Sequence, residues 1–377
     1  MRNELYRYCV LIILFGCGNN EDILFQESLK NDVTIDLSKV ENIYDPESIS
    51  QIMRKVCSWQ ILNPVEMNDG NGMAWARSAL YAGVMSTYYT TGDVNYLLAC
   101  KDWASQKEWK LDQRYDHADD HSCGQTYLEI FFLEHKEYMI NSAVSTFDRL
   151  ILENRNGDEL YWWADALFMS PTVLARLYQA TGEIKYYSAL NKWWWESQDL
   201  LYDSAENLFF QSHWYFTRKT PNGFKTFWAR ANGWVIAGIV RIIEYLPEED
   251  PYYHKYLDIY KAMAGKIAAL QSGDGLWRSS LLDSLESPYP EASSTGFFTY
   301  AIAWGINEGL LPEAQFGPVV ERAWKGLVNS IHPDGKLGWV QGGDSAPGEV
   351  SYDDYQEYGA GAFLLAGSEL FKLKSNF

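Results

Sequence analysis

Asp165 is a single carboxylate among large apolar and aromatic side chains, in the segment YWWADALFMS (residues 161–170). Burial of an ionised carboxylate without a partner is strongly unfavourable, so burial either neutralises the group or requires a partner. A carboxyl group that stays neutral near neutral pH can donate a proton, which makes Asp165 a candidate general acid. The alternative is a structural partner that satisfies the group inside the core.

A second group of titratable side chains precedes Asp165. The segment YDHADDHSCGQTYLEIF (residues 115–131) places three acids and two histidines just before an apolar helical pattern. We expect Asp119 or Asp120, like Asp165, to lie at the start of an inner helix. The two carboxylates would then lie at the same open end of the fold, which we call the mouth. Sugar-processing enzymes use such a pair, in which the desolvated carboxyl group is protonated and the more polar one is ionised.

Two simpler interpretations apply to this second group. An Asp at a helix start often accepts hydrogen bonds from backbone N–H groups, and we expect at least one of Asp119 and Asp120 to do so. His117 and His121, together with Asp119, are side chains of the zinc-binding type. No HExxH motif and no third ligand at a recognisable spacing accompany them. We therefore expect neither a metal nor another cofactor.

The third candidate segment is QSHWYFTRKTPNGFKTFWARANGWVIAGI (residues 211–239). Arg230 and Trp234 are four residues apart and can share a helix face, and Trp228 precedes them. An arginine held between indole rings suits a planar carboxylate on a sugar ring. The alternative is cation–π packing at a helix end. His213 could reach the same mouth, although a lone histidine is more often structural.

Helices must position these residues. The segment WARSALYAGVMSTYYTTGD carries apolar residues at i, i+3, i+4 and i+7 and stops at Gly92, and ADALFMSPTVLARLYQATGE repeats this design and stops at Gly182. The endings TGDVNYL and TGEIKYY match closely. The match indicates an internal repeat of a helical hairpin.

Further helical runs continue to the C-terminus, separated by Gly-Asp or Asp-Gly turns that an aromatic residue follows. We find no alternating run long enough for a sheet and no glycine-rich phosphate loop. About a dozen helices without a domain-breaking linker predict an all-α fold, a closed α/α toroid with inner helices ringed by outer ones. The alternative, an open α-solenoid, would show a steadier repeat length.

The composition argues against one class of function and leaves another open. A net charge of −19 without a visible basic stripe makes nucleic acid an unexpected partner. The 16 Trp and 26 Tyr residues fit either a sugar-binding cleft or a large aromatic core. Cys57, Cys100 and Cys123 are odd in number and scattered, which predicts buried free thiols.

The N-terminus has the pattern of a secretory signal. Basic residues precede an apolar run from Cys9 to Phe15 that is too short to span a bilayer as a helix. The motif LFGC resembles a bacterial lipobox with Cys17 as the lipidated residue. The alternative is an ordinary signal peptide. We expect a periplasmic or outer-membrane lipoprotein of the bacterial cell envelope.

This interpretation divides the chain into three parts. Residues 1–17 are expected to form a lipoprotein signal peptide, and residues 18–48 a tether or N-terminal extension. Residues 49–377 are expected to form a single catalytic domain, because the helical pattern runs through them without a break.

The chain resembles the unsaturated glucuronyl and rhamnogalacturonyl hydrolases, glycoside hydrolase families 88 and 105, and the second of these more closely. The residues that carry the resemblance are MAWARSALYAG, ADDHSCGQTYLEIF, YWWADALFMSP, HW at His213, WARANGW, DGLW, YPEASSTGFFTYAIAWG and YGAGAFLLAGSEL. They follow the family's order over nearly all of the mature chain. The combination of WWADALFM with WARANGW is fairly specific.

The resemblance implies an (α/α)6 barrel and an unusual hydrolysis. Such enzymes act on oligosaccharides left by polysaccharide lyases, whose non-reducing end is a 4,5-unsaturated uronic acid. A general acid protonates C4 of the double bond while water adds at C5. The resulting hemiketal opens and releases the next sugar, for which we expect rhamnose.

Residue by residue, the resemblance assigns roles to positions of this chain. Asp165 matches the general acid/base, and Asp119 matches a second essential acid, with Asp120 as the alternative because the Asp is doubled. The residues matching the subsite for the unsaturated sugar are His213, Trp228, Arg230 and Trp234, and Trp75 or Arg77 falls near another pocket position.

Two other functions remain open from the sequence. The first is a conventional inverting glycosidase or a sugar epimerase on the same fold, for which His117 and His121 could serve as acid and base. The second is a surface glycan-binding lipoprotein without catalysis. Only the unsaturated uronyl hydrolase would remove the conjugated double bond of a lyase product.

Overall fold

The computed structural model describes residues 20–66, 74–343 and 347–375, and within them the helices form two concentric layers. The inner layer consists of α3 (Ala74–Thr91), α6 (Gly124–Glu134), α10 (Pro171–Thr181), α12 (Ala229–Ile243), α14 (Ala292–Asn307) and α16 (Glu357–Ser375). The outer layer consists of α2 (Pro46–Leu62), α4 (Val94–Gln106), α7 (Asn141–Leu152), α11 (Ile184–Leu201), α13 (Pro251–Ala269) and α15 (Glu313–Asn329).

The inner layer is a closed ring. Each inner helix contacts the next in the order α3, α6, α10, α12, α14 and α16, and α16 contacts α3 again. The predicted all-α (α/α)6 barrel is therefore confirmed, and the open solenoid is wrong. The internal repeat is confirmed as well, because α3–α4 and α10–α11 are helical hairpins that turn at Gly92 and Gly182 with φ of 69° and 70°.

The burial of the two layers explains their different sequences. All residues of α12 are buried, and in α14 every residue from Ala292 to Ile306 is buried, so these inner helices are apolar on all sides. In the outer helix α7 only Ala143, Phe147 and Leu150 are buried. Many of the aromatic residues are part of this core. The predicted buried free thiols Cys57, Cys100 and Cys123 are confirmed.

A buried charged network joins three helices of the inner ring. Glu129 on α6 accepts hydrogen bonds at 2.6 Å from Nη2 of Arg176 on α10 and from Nη2 of Arg241 on α12. All three side chains are buried. Two arginines that share one carboxylate tie three inner helices together, and each partner depends on the others for compensation of its buried charge.

Short elements complete the described part of the chain. They are the helix α1 (Asn20–Val33), the one-turn helices α5 (Ala118–His121), α8 (Gly157–Leu160) and α9 (Ala166–Met169), three 3₁₀ turns (Leu37–Lys39, Glu137–Met139 and His213–Tyr215), and the strands β1 (Tyr202–Asp203), β2 (Leu208–Phe209), β3 (Trp277–Arg278) and β4 (Pro290–Glu291). The strands pair antiparallel as β1–β2 and β3–β4. These pairs are too short to form an extended sheet, as the sequence predicts.

The described part of the N-terminal segment lies on the barrel. Helix α1 packs against α2, where Leu29 is fully buried. Lys55 of α2 donates from Nζ to the carbonyl oxygens of Val33 at 2.7 Å and Ile35 at 2.6 Å. The described residues of this segment therefore lie against the outer layer, and the division of the chain into signal, tether or extension, and catalytic domain stays a prediction. The expected signal peptide, including the lipobox and Cys17, lies outside the described residues.

None of the helices in the described ranges is both long enough and apolar enough to cross a bilayer.

Candidate active site

The inner helices begin at the same end of the barrel, and their first residues meet there. The ring of Trp75 at the start of α3 lies 5.2 Å from that of Tyr358 at the start of α16. Nη1 of Arg230, at the start of α12, donates to the Tyr358 hydroxyl at 2.5 Å. The charge of Arg230 also lowers the pKa of Asp165, which precedes α10. This end of the barrel is the mouth that the sequence predicts.

Asp165 is held by the segment that carries it. The neighbouring backbone pairs with the loop before the 3₁₀ turn, since Ala164 N donates to Gln211 O at 2.8 Å. Oδ2 of Asp165 is buried and has no hydrogen-bond partner among the described residues. Burial raises the pKa of Asp165 to about 6, against the opposing charge of Arg230. Asp165 occupies the N-cap position of α9 without making a capping hydrogen bond, as its apolar flanks predict.

Asp119 is the second carboxylate at this mouth, on the one-turn helix α5. Burial, together with the nearby charge of Asp165, raises the pKa of Asp119 to about 7, while Arg114 opposes the shift. The expectation of one desolvated and one ionised carboxyl group is therefore wrong. Both groups are desolvated and both have raised pKa values, and because the groups are coupled these values belong to the pair.

Asp120 points the other way and is part of the loop structure. Its Oδ1 accepts a hydrogen bond from Nε of Arg114 at 3.0 Å, and its Oδ2 accepts one from the Arg114 backbone N–H at 2.8 Å. Asp119 is thus the carboxylate that faces Asp165. The predicted helix capping is wrong, because the backbone N–H that Asp120 binds is that of Arg114, before α5, and no side chain caps α5 or α6.

His121 connects the two short helices that carry the carboxylates. The carbonyl oxygen of Tyr115 lies 2.8 Å from Nε2 of His121 and can only accept, so Nε2 carries the proton. Nδ1 then accepts from the Ser170 hydroxyl at 2.8 Å, and burial lowers the pKa of His121 to about 4. His121 is a neutral structural residue here, and both of its nitrogens are occupied.

His117 lies closer to the carboxylate pair. Its Nδ1 is 3.7 Å from Oδ2 of Asp119, and its ring centre is 4.9 Å from that of Trp163. Burial lowers the pKa of His117, with Arg114 contributing in the same direction. The described residues contain no group of three or more His, Cys, Asp or Glu side chains that could hold a metal ion.

Arg230 is fixed between two aromatic rings. Its guanidinium carbon lies 4.0 Å from the ring centre of Trp228 and 5.0 Å from that of Tyr358. Trp234 instead packs against Phe297 at 4.3 Å between ring centres. The expectation that two indoles hold Arg230 is therefore wrong, since Tyr358 provides the second ring. Trp234 still reaches the mouth through its contact with Trp75 at 5.9 Å.

Trp75 and Arg77 have different surroundings. Arg77 donates to Glu357 from Nε at 3.0 Å and from Nη2 at 2.8 Å, and Nη2 also donates to Val65 O at 2.8 Å. Glu357 is only 2% exposed, so Arg77 is committed to an ion pair that joins α3 to α16. Trp75, which is half-buried beside Tyr358, is the residue of the two that lines the mouth.

His213 lies at the outer rim. It is exposed, and its ring centre lies 6.5 Å from that of Trp162. Trp162 in turn lies 4.8 Å from Trp163 and 5.5 Å from Trp214. A series of aromatic rings therefore leads from the carboxylate pair outward past His213.

Sequence reasoning missed Tyr358 and Gln341. The Gln341 side-chain oxygen accepts from Nε1 of Trp228 at 3.2 Å, and its backbone oxygen accepts from the Tyr358 hydroxyl. Tyr358 had a recognisable signal, because like Trp75 it is an aromatic residue at the start of an apolar helix. Gln341 lies in a loop whose sequence carries no such signal.

The chain is similar to proteins described as hydrolases of unsaturated uronates. It is 33% identical, over 99% of its length and 100% of the relative's, to the unsaturated 3S-rhamnoglycuronyl hydrolase of Formosa agariphila. A solved structure of a glycosyl hydrolase family 88 protein from Bacteroides vulgatus superposes with a TM-score of 0.81 at 29% identity, covering 87% of this chain and 99% of that one.

A second solved structure of similar likeness carries a different description, polysaccharide lyase. It has a TM-score of 0.82 and 33% identity and covers 88% of this chain and 99% of that one. The sequence profile of Glycosyl Hydrolase Family 88 matches residues 51–374, which include all of the mouth residues described above. The chain therefore belongs to Glycosyl Hydrolase Family 88.

Proposed function

We propose that the protein removes the 4,5-unsaturated uronic acid from the non-reducing end of oligosaccharides produced by polysaccharide lyases, with Asp165 as the general acid/base and Asp119 as its partner. The observation that carries the proposal is the pair of carboxyl groups at one mouth with pKa values of about 6 and about 7. A pair with these values holds a proton near neutral pH that neither group would hold in water.

The reaction needs that proton. Asp165 gives it to C4, the electrons of the double bond form the new C4–H bond, and the positive charge at C5 is shared with the ring oxygen. Water adds to C5 and returns a proton to the carboxylate of Asp165. The hemiketal then opens and the neighbouring sugar leaves. No bond forms between enzyme and sugar, so Asp165 needs only to move a proton in both directions.

Asp119 supports this exchange without touching C4. Its charge favours the protonated form of Asp165, and the reverse also holds, so the pair keeps one proton available over a range of pH. His117 lies beside Asp119 in a neutral state favoured by burial. Asp119 therefore acts as a positioning and pKa-tuning residue in this proposal.

Arg230 is the proposed partner of the uronate carboxylate. It is 1% exposed and lies between Trp228 and Tyr358. A planar guanidinium in a fixed position can donate two parallel hydrogen bonds to a carboxylate. Its charge is little screened where water is excluded. Its attraction to Asp165 places the uronate close to the general acid. The half-buried Trp75 supplies an aromatic wall of this subsite, and the buried Trp228 and Trp234 support Arg230 and Trp75 from behind.

For the neighbouring sugar we propose rhamnose. The support is the description of the Formosa agariphila relative as an unsaturated 3S-rhamnoglycuronyl hydrolase, together with the match over nearly the full length of both chains. The expected closer likeness to family 105 than to family 88 stays a prediction.

The direct test follows the ultraviolet absorbance of the conjugated double bond in an unsaturated uronyl-rhamnose disaccharide. The wild-type protein is expected to remove this absorbance, and Asp165→Asn is expected to abolish the loss while the thermal unfolding curve stays cooperative. Asp199→Asn, an exposed residue of the outer helix α11, is the matched control and is expected to behave as wild type. Full activity of Asp165→Asn would remove Asp165 from the proposed role.

The likeness to a polysaccharide lyase supports a second candidate. A lyase would use the carboxylate form of one of the two groups, or neutral His117, to take the C5 proton of an intact uronate; the C4–O bond would break, the 4-linked sugar would leave with a proton on its oxygen, and the C4=C5 double bond would form. The same assay distinguishes the two reactions by sign. Loss of absorbance on a lyase product supports the hydrolase, whereas a gain of absorbance on the intact polysaccharide would support the lyase.

We further propose that the protein is a lipoprotein of the bacterial cell envelope, attached through Cys17. The support is the short apolar run of residues 9–15 and the LFGC motif that ends it.

A further inference from the structure

A stretch of this acidic chain contains no acid. From Asn207 to Ile243 there is no Asp or Glu, although the whole chain has a net charge of −19. The middle of this stretch, residues 213–226, is mostly exposed and begins at His213 on the rim of the mouth. We call residues 213–226 the rim hairpin. Its charge has the sign opposite to that of the protein as a whole.

The rim hairpin is held in a defined place. The Nδ2 group of Asn222, near its tip, donates to both carboxylate oxygens of Asp283 at 3.0 Å. Nζ of Lys225 pairs with the carboxylate of Asp203. A hairpin fixed at its tip and on its return strand presents its remaining side chains in a reproducible position, which binding with specificity requires.

Two cationic side chains of the rim hairpin are available to a ligand. Arg218 and Lys219 are exposed and form no ion pair with any described residue. Arg218 lies 5.2 Å from the ring centre of Tyr215. Burial raises the pKa of Tyr215, Arg218 lowers it and Asp165 raises it. Tyr215 thus lies within electrostatic reach of both the general acid and Arg218, so Arg218 is one aromatic ring away from the site of chemistry, and Lys219 is its neighbour in the chain.

An exposed indole stands beside them. Trp214 is 65% exposed, and its ring is the outermost in the series that runs through Trp162 and Trp163 toward Asp165. Phe216 and Phe224 of the same hairpin are also exposed, at 40% and 49%, and a group of exposed apolar side chains is typical of a binding surface. Pyranose C–H faces stack on such rings.

We propose that the rim hairpin is the subsite for the sugar joined to the unsaturated uronate. Trp214 stacks on that sugar, and Arg218 and Lys219 bind an anionic substituent on it, a sulfate ester or a carboxylate. The inference rests on the proposed function for the identity of the adjoining residue. Guanidinium and ammonium groups are the side chains that bind such oxyanions, and in an exposed place their effect is moderate and weakened by salt.

The test measures binding without turnover. Isothermal titration of the Asp165→Asn protein uses three unsaturated disaccharides: uronyl-rhamnose, the same with a sulfate on the rhamnose, and uronyl-glucuronate. The sulfated disaccharide or uronyl-glucuronate, each with a second negative charge, is expected to bind about fivefold tighter than uronyl-rhamnose at low salt. The preference is expected to disappear in Arg218→Gln/Lys219→Gln and to shrink as salt is added. Trp214→Ala is expected to weaken all three by about fivefold.

Lys261→Gln, on the outer helix α13, removes one charge from another exposed position and is expected to keep the preference. The proposal is overturned if uronyl-rhamnose binds as tightly as both disaccharides that carry a second negative charge, or if the preference survives loss of both cations. The sulfated and carboxylated arms show which anion is bound. Because binding is measured separately from the loss of absorbance, a protein that binds but does not hydrolyse would contradict the proposed function and leave the subsite intact.

Discussion

Asp165 and Asp119 act on each other's protonation at the mouth of the barrel. Burial and the charge of Asp165 raise the pKa of Asp119 to about 7, and burial raises that of Asp165 to about 6. Two carboxyl groups coupled in this way release their protons in two steps that belong to the pair. Between the two values the pair offers both an acid and a base.

The first prediction concerns the pH dependence of hydrolysis. The ratio kcat/KM is expected to be bell-shaped with its maximum between pH 6 and pH 7, since both groups are protonated on the acid side and both are ionised on the alkaline side. Initial rates across this range on an unsaturated disaccharide provide the measurement. In Asp119→Asn the alkaline limb is expected to move to lower pH, because the negative charge that favours the protonated form of Asp165 is gone. An unchanged alkaline limb in this variant would show that another group controls it.

The second prediction concerns stability. A carboxyl group whose pKa is raised in the folded state stabilises the fold at low pH, and this stabilisation is lost as the pH rises through the folded-state value, about 7 for Asp119. Asp119→Asn removes the buried charge and is expected to increase the free energy of unfolding by about 1–3 kcal/mol above pH 7. Below pH 4 the difference is expected to vanish. Urea unfolding at the two extremes measures it, with Asp199→Asn as control.

The third prediction tests the buried network of Glu129. Glu129→Gln leaves Arg176 and Arg241 without their shared carboxylate and is expected to lower the free energy of unfolding by about 3–5 kcal/mol. The exposed pair Arg149–Glu153 provides the contrast, because Glu153→Gln is expected to change stability by less than about 0.5 kcal/mol. Equal losses in the two variants would mean that burial does not determine the contribution of Glu129.

The fourth prediction separates the two side chains that the sequence left ambiguous. Trp75→Ala is expected to raise KM about tenfold, because it removes an aromatic wall of the uronate subsite. Arg77→Gln is expected to lower stability by about 2–4 kcal/mol, because it breaks the pair with Glu357, and to change KM less than about twofold. Steady-state kinetics and thermal unfolding of both variants give the comparison. The opposite pattern would place Arg77 in the substrate pocket.

The fifth prediction concerns the N-terminus. Cells that express the full chain are expected to incorporate labelled fatty acid into the wild-type protein but not into Cys17→Ser. Cys9→Ser, which changes the other cysteine of the same segment, is the matched control and is expected to remain labelled. Labelling of Cys17→Ser would favour another attachment site, and an unlabelled wild-type protein in a lipoprotein-processing host would favour an ordinary signal peptide.

Much of the fold could be predicted because its signals are local. The stops at Gly92 and Gly182 and the apolar periodicity between them depend on a few neighbouring residues, and they define the helical hairpins. The burial of Asp165 could also be predicted, since its aromatic flanks are adjacent in the chain. These features do not depend on which distant segments meet.

The remaining features of the site depend on distant contacts. Arg77 pairs with Glu357, 280 residues away, and Arg230 meets Tyr358, 128 residues away. No spacing rule connects such positions. Likewise, the adjacent Asp119 and Asp120 have equivalent sequence surroundings, and only the position of Arg114 decides which carboxylate turns away. The pKa of Asp119 is raised in part by Asp165, and the raised pKa of Asp165 is opposed by Arg230, and such contacts are likewise beyond local reasoning.

The common direction of the inner helices has a consequence for an anionic substrate. Peptide dipoles add along each helix, so each inner N-terminus carries a partial positive charge, and the ring gathers several of them around one opening. This backbone contribution is independent of side-chain identity, so acidic side chains on the exterior of the protein do not remove it. An overall charge of −19 and the capture of a uronate are therefore compatible, since the architecture itself creates a cationic inlet within an acidic shell.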